Sequence, residues 1–63
     1  MASFCYRVMY ERDDGLIGRY ETFDYLSNAR KVVDGTWLEK HDWVRCWIER
    51  TDGRIMGKVK HRG

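Results

Sequence analysis

Trp43-Val44-Arg45-Cys46-Trp47-Ile48-Glu49-Arg50 is the stretch on which the fold turns. Its residues alternate. Val44, Cys46 and Ile48 take one side, and Trp43, Arg45, Trp47 and Glu49 take the other. A period of two is the mark of a strand with one covered face. Thr51-Asp52-Gly53-Arg54 follows, with Asp-Gly at its centre, and reads as a hairpin turn. A two-residue turn pairs Ile48 with Gly57, Cys46 with Val59 and Val44 with His61. It also sets Trp47 opposite Lys58 and Arg45 opposite Lys60. A three-residue loop would place Glu49 opposite Ile55, so the two-residue turn is expected.

The N-terminal end repeats the strand signature. Phe4, Tyr6, Val8 and Tyr10 alternate with Cys5, Arg7, Met9 and Glu11. Asp13-Asp14-Gly15 makes a turn, and residues 16–23 return. A three-residue loop with Gly15 left-handed sets Val8 opposite Tyr20, Tyr6 opposite Thr22 and Arg7 opposite Glu21. The last is an opposite-charge cross-strand pair. Between the hairpins, Leu26, Ala29, Val33 and Trp37 recur at helical spacing. Asp24 or Ser27 is the expected cap, and the stripe through Trp37 carries the helix past Gly35 to about Lys40.

Strand, strand, helix, strand, strand gives an α+β domain, a ββαββ chain with a four-stranded antiparallel sheet. One helix covers one face of that sheet, and the expected order is 2-1-3-4. The expected core is Tyr6, Val8, Tyr20, Val44, Cys46, Ile48, Ile55 and Val59 against Leu26, Ala29, Val33 and Trp37. The opposite face would carry Cys5, Arg7, Met9, Arg19, Trp43, Arg45, Trp47, Met56, Lys58 and Lys60.

Composition bounds the rest. The 63 residues allow a single domain over the whole chain. A domain of this size buries roughly 60% of its unfolded surface. The aromatic share is 14%, with three Trp and four Tyr, so some large rings must reach the surface. No apolar run is long enough to span a membrane or to act as a secretory signal, and two cysteines are too few for a disulfide scaffold. A cytoplasmic protein is expected. No proline, low-complexity segment or internal repeat is expected to shape the chain. Residues 1–24 carry three basic and five acidic groups, and residues 43–63 carry six basic and two acidic. The C-terminal third is therefore the cationic one.

The four potential metal ligands, Cys5, His41, Cys46 and His61, have a spacing that matches no zinc pattern. His41-Asp42 lacks a nucleophile tied to it, and Asp13-Asp14 reads as turn chemistry. Neither a cofactor nor a catalytic residue is expected, and the chain reads as non-enzymatic. Trp and Arg dominate binding energy at interfaces, and Met adds an adaptable contact. Trp43, Arg45, Trp47, Met9, Met56, Lys58, Arg7 and Lys60 are thus the expected partner-binding residues. The bland alternative folds Trp43 over the end of the core and lays Lys58 across Trp47.

A protein partner is expected, with a homodimer through two open faces as its simplest form. The alternative is a nucleic-acid binder that stacks unpaired bases on the aromatics and meets phosphates with Arg7, Arg45, Lys58 and Lys60. In length, in the segment Trp43-Val-Arg-Cys-Trp47 and in its bare hairpin–helix–hairpin core, the chain resembles the small accessory proteins of bacteriophages. That resemblance implies an inhibitor or modulator of a larger host enzyme, acting in the host cytoplasm. It transfers no residue roles.

Overall fold

A computed structural model describes residues 3–62. Strands β1 (Tyr6–Arg12) and β2 (Ile17–Phe23) form the first hairpin. Helix α1 (Leu26–Asp34) and a 3-10 turn (Thr36–Glu39) follow. Strands β3 (Trp43–Arg50) and β4 (Ile55–His61) form the second hairpin. All pairings are antiparallel, in the order β2-β1-β3-β4. The architecture is the α+β sheet with one helix that the alternation requires.

Strand phase departs from simple alternation at three bulges. In β1–β2, Val8 faces Glu21 but Met9 faces Arg19, so Tyr20 is an extra residue. The expected pairs Val8–Tyr20, Tyr6–Thr22 and Arg7–Glu21 are replaced by Val8–Glu21, Tyr6–Phe23 and Arg7–Thr22. In β1–β3, Glu11 faces Arg45 but Arg12 faces Trp43, so Val44 is extra. This extra residue turns Trp43 over, because each one-residue slip swaps the two faces. In β3–β4, Cys46 faces Lys60 and Ile48 faces Met56. Two more residues lie on β4 than on β3 between those pairs, and Gly57 there takes a φ of +80°.

Both loops contain three residues. At the first, the Arg12 N–H donates to the Leu16 carbonyl at 2.8 Å, and the Gly15 N–H to the Arg12 carbonyl at 2.9 Å. At the second, the Arg50 N–H donates to the Arg54 carbonyl at 2.7 Å, and the Gly53 N–H to the Arg50 carbonyl at 2.8 Å. Gly15 and Gly53 have φ of 86° and 93°, in the left-handed region that such loops require. The first loop is the one expected. The second is not, and Glu49 does face Ile55. Asp52 explains the choice: its carboxylate accepts the Arg54 N–H at 3.2 Å and two bonds from the Arg50 guanidinium. The bulge at Gly57 then shifts the pairing by two further residues, an even number that leaves the faces of β4 as the loop sets them.

The core lies between α1 and the sheet. Val8, Ala29, Val32, Val33, Trp37, Trp43, Cys46 and Ile48 are buried together, with Tyr6, Tyr10, Phe23, Leu26 and Met56 packed against them. Ile55 and Tyr20 are exposed, and Val44 and Val59 lie outside this cluster, contrary to the alternation alone. Helix α1 ends at Gly35 and does not run on to Lys40. The chain tightens into the 3-10 turn, which still delivers Trp37 to the core. The residue before α1 is Tyr25, with no side-chain cap, so neither Asp24 nor Ser27 has the expected role. Asp24 instead faces the Cys5 Sγ at 3.7 Å.

Candidate functional site: the face turned away from the helix

Residues directly opposite on neighbouring strands share a face. The pairs Glu11–Ile17 and Glu11–Arg45 therefore put Ile17, Glu11, Arg45 and, through Arg45–His61, His61 in one row. The row two residues away holds Arg19, Met9 and Trp47. The next holds Thr22, Arg7, Glu49 and Ile55. Ile17, Met9, Trp47 and Ile55 consequently form an apolar diagonal from β2 to β4. Four strands at the usual spacing make it about 14 Å wide across the sheet.

Acid–base pairs flank the diagonal on both sides. Arg7 Nη2 lies 2.9 Å from Glu49 Oε1, and Arg45 Nη2 lies 2.6 Å from Glu11 Oε1. Both are direct cross-strand partners. The Arg45 guanidinium also sits over the Trp47 ring at 5.2 Å. Trp47 is consequently only 9% exposed, although it lies outside the core cluster. The freely accessible apolar surface of this face is at its corners, where Ile17 is 54% and Ile55 49% exposed.

Of the expected contact residues, this face brings together Arg7, Met9, Arg45 and Trp47. Trp43 is a correction. It is 5% exposed on the helix side, stacked on Tyr10 at 4.4 Å and edge-on to Tyr20 at 5.4 Å. Met56 and Lys60 are corrections too, since they pair with the core residues Ile48 and Cys46. Lys58 alternates with them and lines a groove beside α1. The three-residue second loop is the physical cause, because it turns β4 over relative to a two-residue turn. The cation over Trp47 is Arg45 and not Lys58.

Glu11, Glu49, Ile17 and Ile55 were missed, yet a signal for all four is present. Arg7, Glu11, Arg12, Asp14, Gly15 and Ile17 recur at one constant spacing as Arg45, Glu49, Arg50, Asp52, Gly53 and Ile55. The chain does contain an internal repeat, one copy per hairpin. The Asp14 carboxylate accepts the Leu16 N–H as Asp52 accepts that of Arg54. The two copies meet antiparallel at β1–β3, with Met9 and Trp47 opposite each other at the centre. A local twofold thus places each arginine against the other copy's glutamate.

Burial pushes the Cys46 thiol up to about 11, from an ordinary 9.0. A raised native value favours the neutral thiol. This contribution to stability is fully present below pH 9 and is lost as the pH rises towards 11. Cys46 is buried and Cys5 only half-buried. At pH 8 an aromatic disulfide reagent should therefore modify Cys5 in the native protein and Cys46 only after denaturant is added. Equal rates at both thiols would contradict this burial. The Arg50 guanidinium, bound to Asp52, holds that carboxyl down at about 2.

No three His, Cys, Asp or Glu side chains cluster as a metal site among the described residues, and no helix there is long and apolar enough to cross a membrane. No family model matches the chain, and no curated protein or solved structure matches it.

Proposed function

We propose that this chain is a non-enzymatic protein-binding module whose helix-free sheet face seats an apolar ridge of a partner protein. The observation that carries this reading is the diagonal of Ile17, Met9, Trp47 and Ile55 across an uncovered face whose central arginines are already paired with glutamates. Attraction to such a face comes from burying apolar surface, at about 25 cal/mol per Å². Net charge contributes little, because each central cation faces its own carboxylate. Trp47 under Arg45 supplies a rigid platform, and the corner isoleucines supply the accessible contact. The same pairing weighs against the nucleic-acid alternative, since Arg7 and Arg45 would have to give up Glu49 and Glu11 to meet phosphates. The likeness to small phage proteins directs the search for the partner to a larger host enzyme.

A photo-crosslinking amino acid at Ile17 or Ile55 tests the reading, with the same group at Leu38, exposed in the 3-10 turn, as the control. Discrete adducts with one protein from both isoleucine positions and none from Leu38 are expected. With that protein purified, Ile17→Lys/Ile55→Lys should weaken binding by tenfold or more, roughly 1.4 kcal/mol or above. Adducts from Leu38 alone, or an affinity indifferent to the double substitution, would overturn it. So would capture that is abolished by nuclease and falls steeply with salt.

A further inference from the structure

Helix α1 leaves β2 after only two residues, Asp24 and Tyr25, so it lies over the first hairpin and the centre of the sheet. Its packing is against β1, β2 and β3. The helix side of β4 is left with a groove of about 260 Å³. Its accessible apolar lining is Met56, with the buried Val33 and Ile48 beneath it. Arg30 of α1 and Lys58 and Lys60 of β4 stand around it, with Asp34 as the one acid. Asp34 pairs with Lys60 at 3.6 Å, while Arg30 and Lys58 have no ion pair among the described residues.

Three cations converging on one concavity repel one another, and a single carboxylate offsets only part of that repulsion. Anionic groups entering the groove remove the rest. The apolar lining favours a ligand that also carries a hydrocarbon side chain, which a peptide supplies and a bare phosphate does not. The open backbone helps as well, because a Cβ at Gly57 would meet nothing within 4 Å.

We propose that the groove between α1 and β4 is a second binding site, which takes an acidic segment of a partner protein. An apolar side chain of that segment rests on Met56, and carboxylates meet Arg30, Lys58 and Lys60. The site stands on the opposite side of the sheet from the Ile17–Ile55 diagonal, so either can fail without the other.

The probe is a synthetic peptide with one leucine flanked on both sides by glutamates, titrated into isotope-labelled protein at low salt. Amide shifts should concentrate at Arg30, Gly57 and Lys58, and the glutamine version of the peptide should produce none. Arg30→Glu/Lys58→Glu should weaken binding by about tenfold or more, with an unchanged melting temperature. Shifts centred on Arg7 and Arg45, absence of binding at low salt, or an affinity untouched by the charge reversal would overturn the proposal. A single-stranded oligonucleotide that moves the same amides at lower concentration than the peptide would overturn it as well.

Discussion

Trp43→Ala is expected to remove most of the folded state. A 63-residue domain has a total stability of roughly 3–9 kcal/mol. Truncating a buried tryptophan costs about 3–5 kcal/mol, from lost transfer energy and the cavity left behind. Trp43 also takes part in two ring contacts, face-on with Tyr10 and edge-on with Tyr20, and each such contact adds about 0.5–1.5 kcal/mol. Urea unfolding followed by circular dichroism should show a midpoint near zero or no transition at all. A residue on the outward face would behave differently, because surface substitutions usually stay within about 0.5 kcal/mol. A variant as stable as the parent would return Trp43 to the surface.

Arg62→Ala is expected to be the second most damaging change, although its charge lies near the end of the described chain. Its guanidinium sits over the Trp37 ring at 5.0 Å. It donates to the carbonyls of Trp43 at 2.9 Å, Trp37 at 3.2 Å, Leu38 at 3.4 Å and Lys40 at 3.0 Å. These groups end the 3-10 turn and lead into β3; the Trp37 and Lys40 carbonyls also accept the Lys40 and Trp43 N–H groups, so Arg62 adds a second bond to each. One side chain thus fastens the C-terminal end of β4 to the segment that places both Trp37 and Trp43. A loss of about 2–3 kcal/mol follows from removing a charged multi-dentate donor of this kind. Arg62→Lys should recover only a small part, because an ammonium cannot present a planar fork to several carbonyls. Thermal unfolding of the two variants checks the size, and faster amide exchange confined at first to residues 36–43 checks the place.

The order of elements was legible because each strand alternates and α1 repeats at helical spacing. The Asp13-Asp14-Gly15 loop forms as expected, although the pairs that argued for it, Val8–Tyr20, Tyr6–Thr22 and Arg7–Glu21, are displaced by the bulge at Tyr20. Strand phase was legible only between bulges. Nothing in Val44 by itself announces that it is the extra residue, yet its insertion sends Trp43 inward while Trp47 stays out. At the second loop, apolar pairing argued for two residues, and the bonds Asp52 makes to Arg54 and Arg50 decided for three. Comparing the hairpins with each other would have corrected that choice. Arg12-Asp13-Asp14-Gly15 and Arg50-Thr51-Asp52-Gly53 are the same loop, and its first copy was read correctly. The repeat would also have set Arg7 against Glu49 and Glu11 against Arg45, which makes the outward face charge-paired where the count of cations alone made it basic.

Both proposed sites depend on which of the two β3 tryptophans lies under the helix, and nuclear Overhauser contacts from their indole protons measure this directly. The Trp43 indole should show contacts to the Tyr10 and Tyr20 rings, and the Trp47 indole to Arg45 and Met9, with none from Trp47 to Ala29 or Val33. Contacts from Trp47 to the α1 side chains, with Trp43 free of Tyr10, would contradict the account.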